Sequence, residues 1–432
     1  MNRRPSTGLL VVFAGFTFAC GDAGTTVRVV SPYNTTQGMS GVRVRANEGA
    51  WVTADADGSV TFEDVSTPYL LDIEQSYETT LRTSDDPDGL DATLRDLWRL
   101  TVIDEAFTFE VDDYAPPSED ACTVSGRVAL GEGERAQLEV SHLQFGLGSW
   151  QTETPEFEAD LRYVVQSPKL GVYAVAGVPD ADDAFYASIS GAGHIDVDLP
   201  SGPCGTLANV DVPLQPVTSR AVDVAYDSPD VAGLEQISGF ANLRFDDMPA
   251  VSIHLGGVYG DPPDGTFTPQ LFNGFGQPWV GFSSFGQGTV VDGDAADFTK
   301  RWRYFEVQSP YAYAAARVDA GVDAITLAAP APTNLLAPDD GADLTTSTAF
   351  SWHTVSDVDT YVFEFHCRFV GKSAGNLAFR MHTPATEVTL PAFVYDRVQP
   401  GMRCAWSVGY VLESDTAVRS AYTGERWVKD PR

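Results

Sequence analysis

The sequence predicts an all-β chain, built as tandem β-sandwich domains with one short helix. Three observations predict it. Apolar and polar residues alternate over short segments, as in Val42 and Val44 against Arg43 and Arg45, which is the period of a half-buried strand. Those segments are bounded by Gly, Pro and Asp clusters, the signals of tight turns. The length of 432 residues leaves room for about three or four domains of ~100 to 150 residues each. A hydrophobic share of 43% with 11% aromatics is enough to fill separate cores.

The start of the chain sets its compartment. Arg3 and Arg4 precede an apolar run from Gly8 to Ala19, and small Ala19 stands before Cys20, the layout of a secretory signal. The run falls short of the about 20 apolar residues that a permanent span needs. Thr17-Phe18-Ala19-Cys20 resembles a lipobox, so the stretch is similar to a bacterial lipoprotein signal. The resemblance implies that residues 1–19 are removed and that Cys20 is lipidated. It also implies anchoring in the cell envelope, at the outer membrane or the cell surface. An ordinary signal peptide with an incidental cysteine is the alternative.

A net charge of −33 argues against nucleic acid as a partner, because phosphate binding needs a basic face. The acids are dispersed over many loops and read as a solvating surface. With Cys20 set aside, Cys122, Cys204, Cys367 and Cys404 remain, an even set in an exported chain that leaves three connectivities open. Cys122 with Cys204 and Cys367 with Cys404 is the expected pairing, since each bond then closes within one proposed domain of an oxidising compartment.

Residues 20–116 form the first proposed domain. Trp51-Val52-Thr53 runs into Asp55-Ala56-Asp57-Gly58, and Ser59-Val60-Thr61-Phe62 leads out, a hairpin signal. Residues 40–74, with their D-x-D-G turn and following strand, resemble a carboxypeptidase-regulatory-like module. The resemblance implies a prealbumin-type sandwich. The same turn sets Asp55, Asp57 and Asp64 near the ligand positions of a calcium loop, but its flanks read as strands. Calcium is therefore a weak alternative to a plain hairpin, and no other cofactor is expected. Leu90, Leu94, Leu97 and Trp98 fall at i, i+4, i+7 and i+8 and predict the one short helix.

Pro116-Pro117 marks a boundary before the second domain, 121–215. Val124-Ser125-Gly126-Arg127-Val128 and Val210-Asp211-Val212-Pro213-Leu214 resemble the opening and close of another regulatory-like module. His194, Asp196 and Asp198 fall on one face of a predicted strand. A wet strand face is the expectation, with a metal site as the minor alternative. Residues 217–329 make an aromatic and Gly-rich third domain, in which Phe272, Phe275, Trp279 and Phe282 are interleaved with Gly and Gln. Such rings either form core strands or present faces to a sugar or another apolar partner. They are the candidate ligand-binding residues. Lys300, Arg301 and Arg303 are the one basic cluster of note and read as a solvated strand edge.

Ala328-Ala329-Pro330-Ala331-Pro332 is a linker into the last domain, 330–432. Phe350-Ser351-Trp352, Tyr361-Val362-Phe363-Glu364-Phe365 and Trp406-Ser407-Val408 follow in an order that resembles a fibronectin type III-like sandwich. Cys367 shares a strand face with Tyr361, Phe363 and Phe365, and Cys404 with Trp406 and Val408; the resemblance implies that these strands are neighbours, which suits the pairing of the two cysteines. Gly371-Lys372-Ser373-Ala374-Gly375 matches a nucleophile elbow only in letters, since no strand-to-helix turn is predicted there. The histidines are dispersed without metal spacing.

These observations predict a non-catalytic envelope lipoprotein whose sandwiches bind a glycan or a surface protein. A polysaccharide-acting enzyme and a structural spacer are the alternatives.

Overall fold

The computed structural model describes residues 24–31, 34–83, 86–111, 122–142, 145–161, 169–198, 205–245, 248–260, 265–293, 304–369 and 377–431. Nearly all regular structure is strand, as alternation and turn chemistry predict. Among the described residues the one α-helix is Ala392–Tyr395, and no helix is long and apolar enough to cross a membrane.

In the first unit Thr25–Ser31 pairs with Asn34–Gly38, Ser59–Phe62 and, in parallel, Ala106–Glu110. The facing layer is Val52–Thr53, Arg43–Ala46, Tyr69–Thr83 and Asp86–Val102. Val27, Val44, Phe62, Leu71, Ile73 and Trp98 fill the space between. In the second unit Arg135–His142, Lys169–Pro179 and Tyr186–Asp198 are consecutive neighbours. They share a core with the layer Glu156–Leu161, Cys122–Val128 and Thr206–Val212.

The third unit stacks Gln236–Phe245, Met248–Gly260, Gln277–Phe285 and Tyr311–Arg317 against Asp223–Asp227 and Ala324–Ala328. Its core also takes in Tyr173, Phe185 and Ile189 from the second unit, and Phe185 bridges to Gly256. The second unit thus keeps a core of its own and also contributes residues to the core of the third. In the fourth unit Trp352, Phe350, Phe363 and Trp406 meet between Ala349–Trp352 and the strands Tyr361–Phe369 and Met402–Ser414. Cys367 and Cys404 lie opposite each other in register and are joined as a disulfide.

The predicted helix over Leu90–Trp98 is instead part of the long strand Asp86–Val102. That strand pairs antiparallel with Tyr69–Thr83 on one side and parallel with Leu377–Thr383 of the fourth unit on the other. Neighbouring residues therefore face different cores. Trp98 packs in the first unit and Leu97 in the fourth, so both faces are apolar and the period of two is lost. Likewise Tyr311–Arg317 of the third unit pairs with Ala417–Tyr422 of the fourth. A 14-stranded sheet consequently runs from the third unit through the fourth into the first.

Charged and aromatic groups close the seam between the first and fourth units. Asp72, 1% exposed, accepts from Arg45 Nε at 2.8 Å and from Arg99 Nε at 2.6 Å. Glu74, 4% exposed, receives Arg397 through Nε and Nη2 at 2.7 and 2.6 Å, and Arg43 Nη1 at 3.0 Å. Between the acids stand aromatic faces. Arg43 and Arg45 lie over Trp51, while Arg45, Arg99 and Arg397 lie about the Phe393 ring. Enclosed carboxylates of this kind persist only when paired and hydrogen-bonded.

Candidate binding site

Cys20, Cys204, Lys300, Arg301, Arg303 and the 371–375 motif lie outside the described residues, as does any pairing of Cys122 with Cys204. Asp55 closes the predicted hairpin. Its Oδ1 accepts from the backbone N–H of Asp57 at 2.9 Å and of Ser59 at 2.8 Å. Gly58 takes φ +71°, and a Cβ there would meet Val29 O at 2.2 Å, so the turn requires glycine. Asp64 stands apart in a left-handed turn at φ 62°. No group of three or more His, Cys, Asp or Glu gathers to hold a metal among the described residues.

The aromatic run divides. Phe272, Trp279 and Phe282 are buried at 1%, 8% and 0% exposure and belong to the wall of the core or to the core itself. Phe282 packs on Tyr226 at 5.2 Å. Trp279 is covered by Arg244 at 4.4 Å, whose Nη2 donates to Tyr313 Oη at 3.2 Å. Phe275 is half-buried. It sits in the Asn273-Gly274-Phe275-Gly276 turn and meets Phe245 edge-on at 5.5 Å.

That turn borders an open cleft of about 490 Å³. Its lining comes from three segments: Phe245 at the end of Gln236–Phe245; Asn273, Gly274, Gly276 and Gln277 leading into Gln277–Phe285; and Asp319 with Ala320 after Tyr311–Arg317. Gly276 has φ +85°, and a Cβ there would press on Arg244 O and Phe245 Cε1, both at 3.1 Å. Glycine thus lets the turn lie against the ring. Asp319 is two-thirds exposed and accepts from Arg317 Nε at 3.1 Å.

Phe245 is also fixed from behind. Tyr173 of the second unit, 3% exposed, lies 5.0 Å from it and 6.4 Å from Phe275. His194, directly across the ladder from Tyr173, stacks on it at 5.5 Å and 15°. His194, Asp196 and Asp198 are exposed while Ile195 and Val197 turn inward, the wet strand face that alternation predicts. Phe275, a candidate from the sequence, borders the cleft without lining it, and sequence reasoning did not single out Phe245, Asn273, Gln277 or Asp319. Their common signal is turn chemistry at the ends of three separate strands, which does not reveal that the three turns meet.

No family model matches the chain, and no curated protein matches it. Among solved structures it is similar to a streptococcal ancillary pilin, at 11% identity over 72% of this chain and 100% of that one, with a TM-score of 0.15. A score of that size leaves the assignment of an all-β, multi-sandwich fold to the strands themselves.

Proposed function

We propose that the chain is a non-catalytic cell-envelope lipoprotein, held by a lipidated Cys20 and presenting β-sandwich modules for binding or adhesion. Its first and second units are read as regulatory-like modules and its fourth as a fibronectin type III-like module, on the residues quoted above. The observation that carries the binding half is the cleft where three strand ends of the third unit meet. Loops on a rigid sheet are the usual place for recognition. Among the described residues its lining combines one aromatic ring, Phe245, with the amides of Asn273 and Gln277 and the carboxylate of Asp319.

Two measurements test this reading. Palmitate labelling of the expressed chain is expected, and is lost in Cys20→Ser. Saturable capture of polysaccharide or protein from isolated cell surfaces is expected without turnover. Release of shortened polysaccharide into solution would instead favour the enzyme reading.

A further inference from the structure

We infer that Asn273 is a site of spontaneous covalent modification, at which the side-chain amide closes on the Gly274 backbone nitrogen and is then hydrolysed to aspartate and isoaspartate. Asn273 is the one asparagine of the chain that precedes glycine; the others precede Arg, Thr, Glu, Val or Leu. The reaction needs the backbone nitrogen of the following residue to reach the asparagine Cγ, and a side chain on that residue obstructs the approach. Glycine removes the obstruction. The turn leaves room for it as well. Asn273 and Gly274 are exposed, in a bend between Gln270–Leu271 and Gln277–Phe285 that belongs to no ladder. Gly274 takes φ +97°, and a Cβ there would meet nothing within 4 Å.

Comparable pairs elsewhere are held shut. Asp57-Gly58 and Asp340-Gly341 can form the same cyclic imide in principle, but Gly58 N–H donates to Asp55 O at 3.1 Å and Gly341 N–H to Trp427 O at 2.8 Å. A nitrogen engaged in this way has to give up its hydrogen bond before it can attack. Asp340 Oδ1 also accepts from the Trp427 N–H at 3.0 Å. Two asparagines are held by their side chains. Asn47 Oδ1 accepts from the Leu70 N–H at 3.0 Å, and Asn242 Oδ1 lies 3.0 Å from His254 Nδ1. Among the described residues no such bond ties the Asn273 amide or the Gly274 N–H.

The steps balance with water alone. The Gly274 N–H gives its proton to hydroxide, and the nitrogen lone pair forms a bond to Asn273 Cγ. The Cγ–Nδ2 bond breaks, and Nδ2 takes a proton from water and leaves as ammonia. Water then opens the cyclic imide. Attack at Cγ breaks its new bond to nitrogen and leaves aspartate. Attack at the Asn273 backbone carbonyl breaks the original peptide bond and leaves isoaspartate, with the chain continuing through Cγ. Either product puts a carboxylate where the cleft had an amide, in a lining that already includes Asp319. Isoaspartate also lengthens the backbone of the turn by a methylene. The lining of an aged chain therefore differs from that of a new one, whatever the cleft binds.

The test is peptide mapping by mass spectrometry of the full folded chain during prolonged incubation in mildly alkaline buffer, with isoaspartate measured separately by enzymatic methylation of its carboxyl group. Deamidation is expected at Asn273 ahead of every other asparagine, at a rate that rises in proportion to hydroxide. The isoaspartate signal is expected to be lost in Asn273→Gln, an exposed change whose longer side chain closes the ring far more slowly. The parent chain in urea supplies the rate of an unconstrained Asn-Gly pair, and the folded chain is expected to react on the same time scale. Modification in urea that the folded chain does not undergo would overturn the inference, because the fold then protects the turn. Earlier modification at Asn47 or Asn242, or isoaspartate undiminished in Asn273→Gln, would overturn it too.

Discussion

At the scale of the residue, burial decides what each aromatic and charged group can do. Trp279 and Phe282 carry the letters of a sugar platform, yet their ring faces are taken by Arg244 and by Tyr226. Glu74 illustrates the charged case. Its two oxygens hold Arg397 and Arg43, and Glu74→Gln would leave two guanidinium groups in the seam without their anion. A loss of about 3 kcal/mol is expected in denaturant unfolding; an unchanged midpoint would remove the seam from the account of stability. Tyrosines give a pH-dependent consequence. Burial pushes Tyr186 and Tyr422 up to about 12, and Tyr69 to about 12 with help from the Asp104 charge. The folded chain therefore keeps protons that an unfolded phenol gives up near ~10. Stability from this source is intact below pH ~10 and falls as pH rises from there toward 12. Tyrosinate absorbance should rise for these residues together with loss of β-sheet circular dichroism, not ahead of it.

At the scale of the element, legibility followed how each strand is covered. Tyr361–Phe369 was readable because one set of its residues, Tyr361, Phe363, Phe365 and Cys367, is enclosed in the same core. Cys404, Trp406 and Val408 across from it are enclosed as well, and the disulfide follows from that register. Replacing both cysteines, as Cys367→Ala with Cys404→Ala, is expected to cost about 4 kcal/mol for a loop of this span, 37 residues. Unfolding of the double variant under non-reducing conditions checks it. Asp86–Val102 was misread for the opposite reason. Its Leu97 and Trp98 are adjacent and both buried, a spacing that imitates a helix when one face alone is considered. The two faces serve different units, so Leu97→Ala should cost about 3 kcal/mol through the fourth unit's core although the residue belongs to the first. The cleft was only partly legible, because its three turns are distant in sequence and their meeting depends on strand order.

At the scale of the whole molecule, the units are not a simple string. Chain order runs from first to fourth, whereas the sheet places the first beside the fourth and the fourth beside the third. The fourth unit is thus flanked on both ladder edges, at Leu377–Thr383 and at Ala417–Tyr422. Expressed alone, residues 330–432 would present both edges as open templates for pairing. Self-association of that fragment is expected by light scattering, and a stable monomer would contradict the flanking role. The same register has a consequence in time. Leu97 meets Phe379, a partner about 280 residues later, which a ribosome working at about 5–20 residues per second supplies only after about 15–60 s. Throughout that interval the newborn first unit has no native neighbour along one rim. Delivery across a membrane before folding would spare the cell that interval, because all the units then reach the same side before the rim has to close.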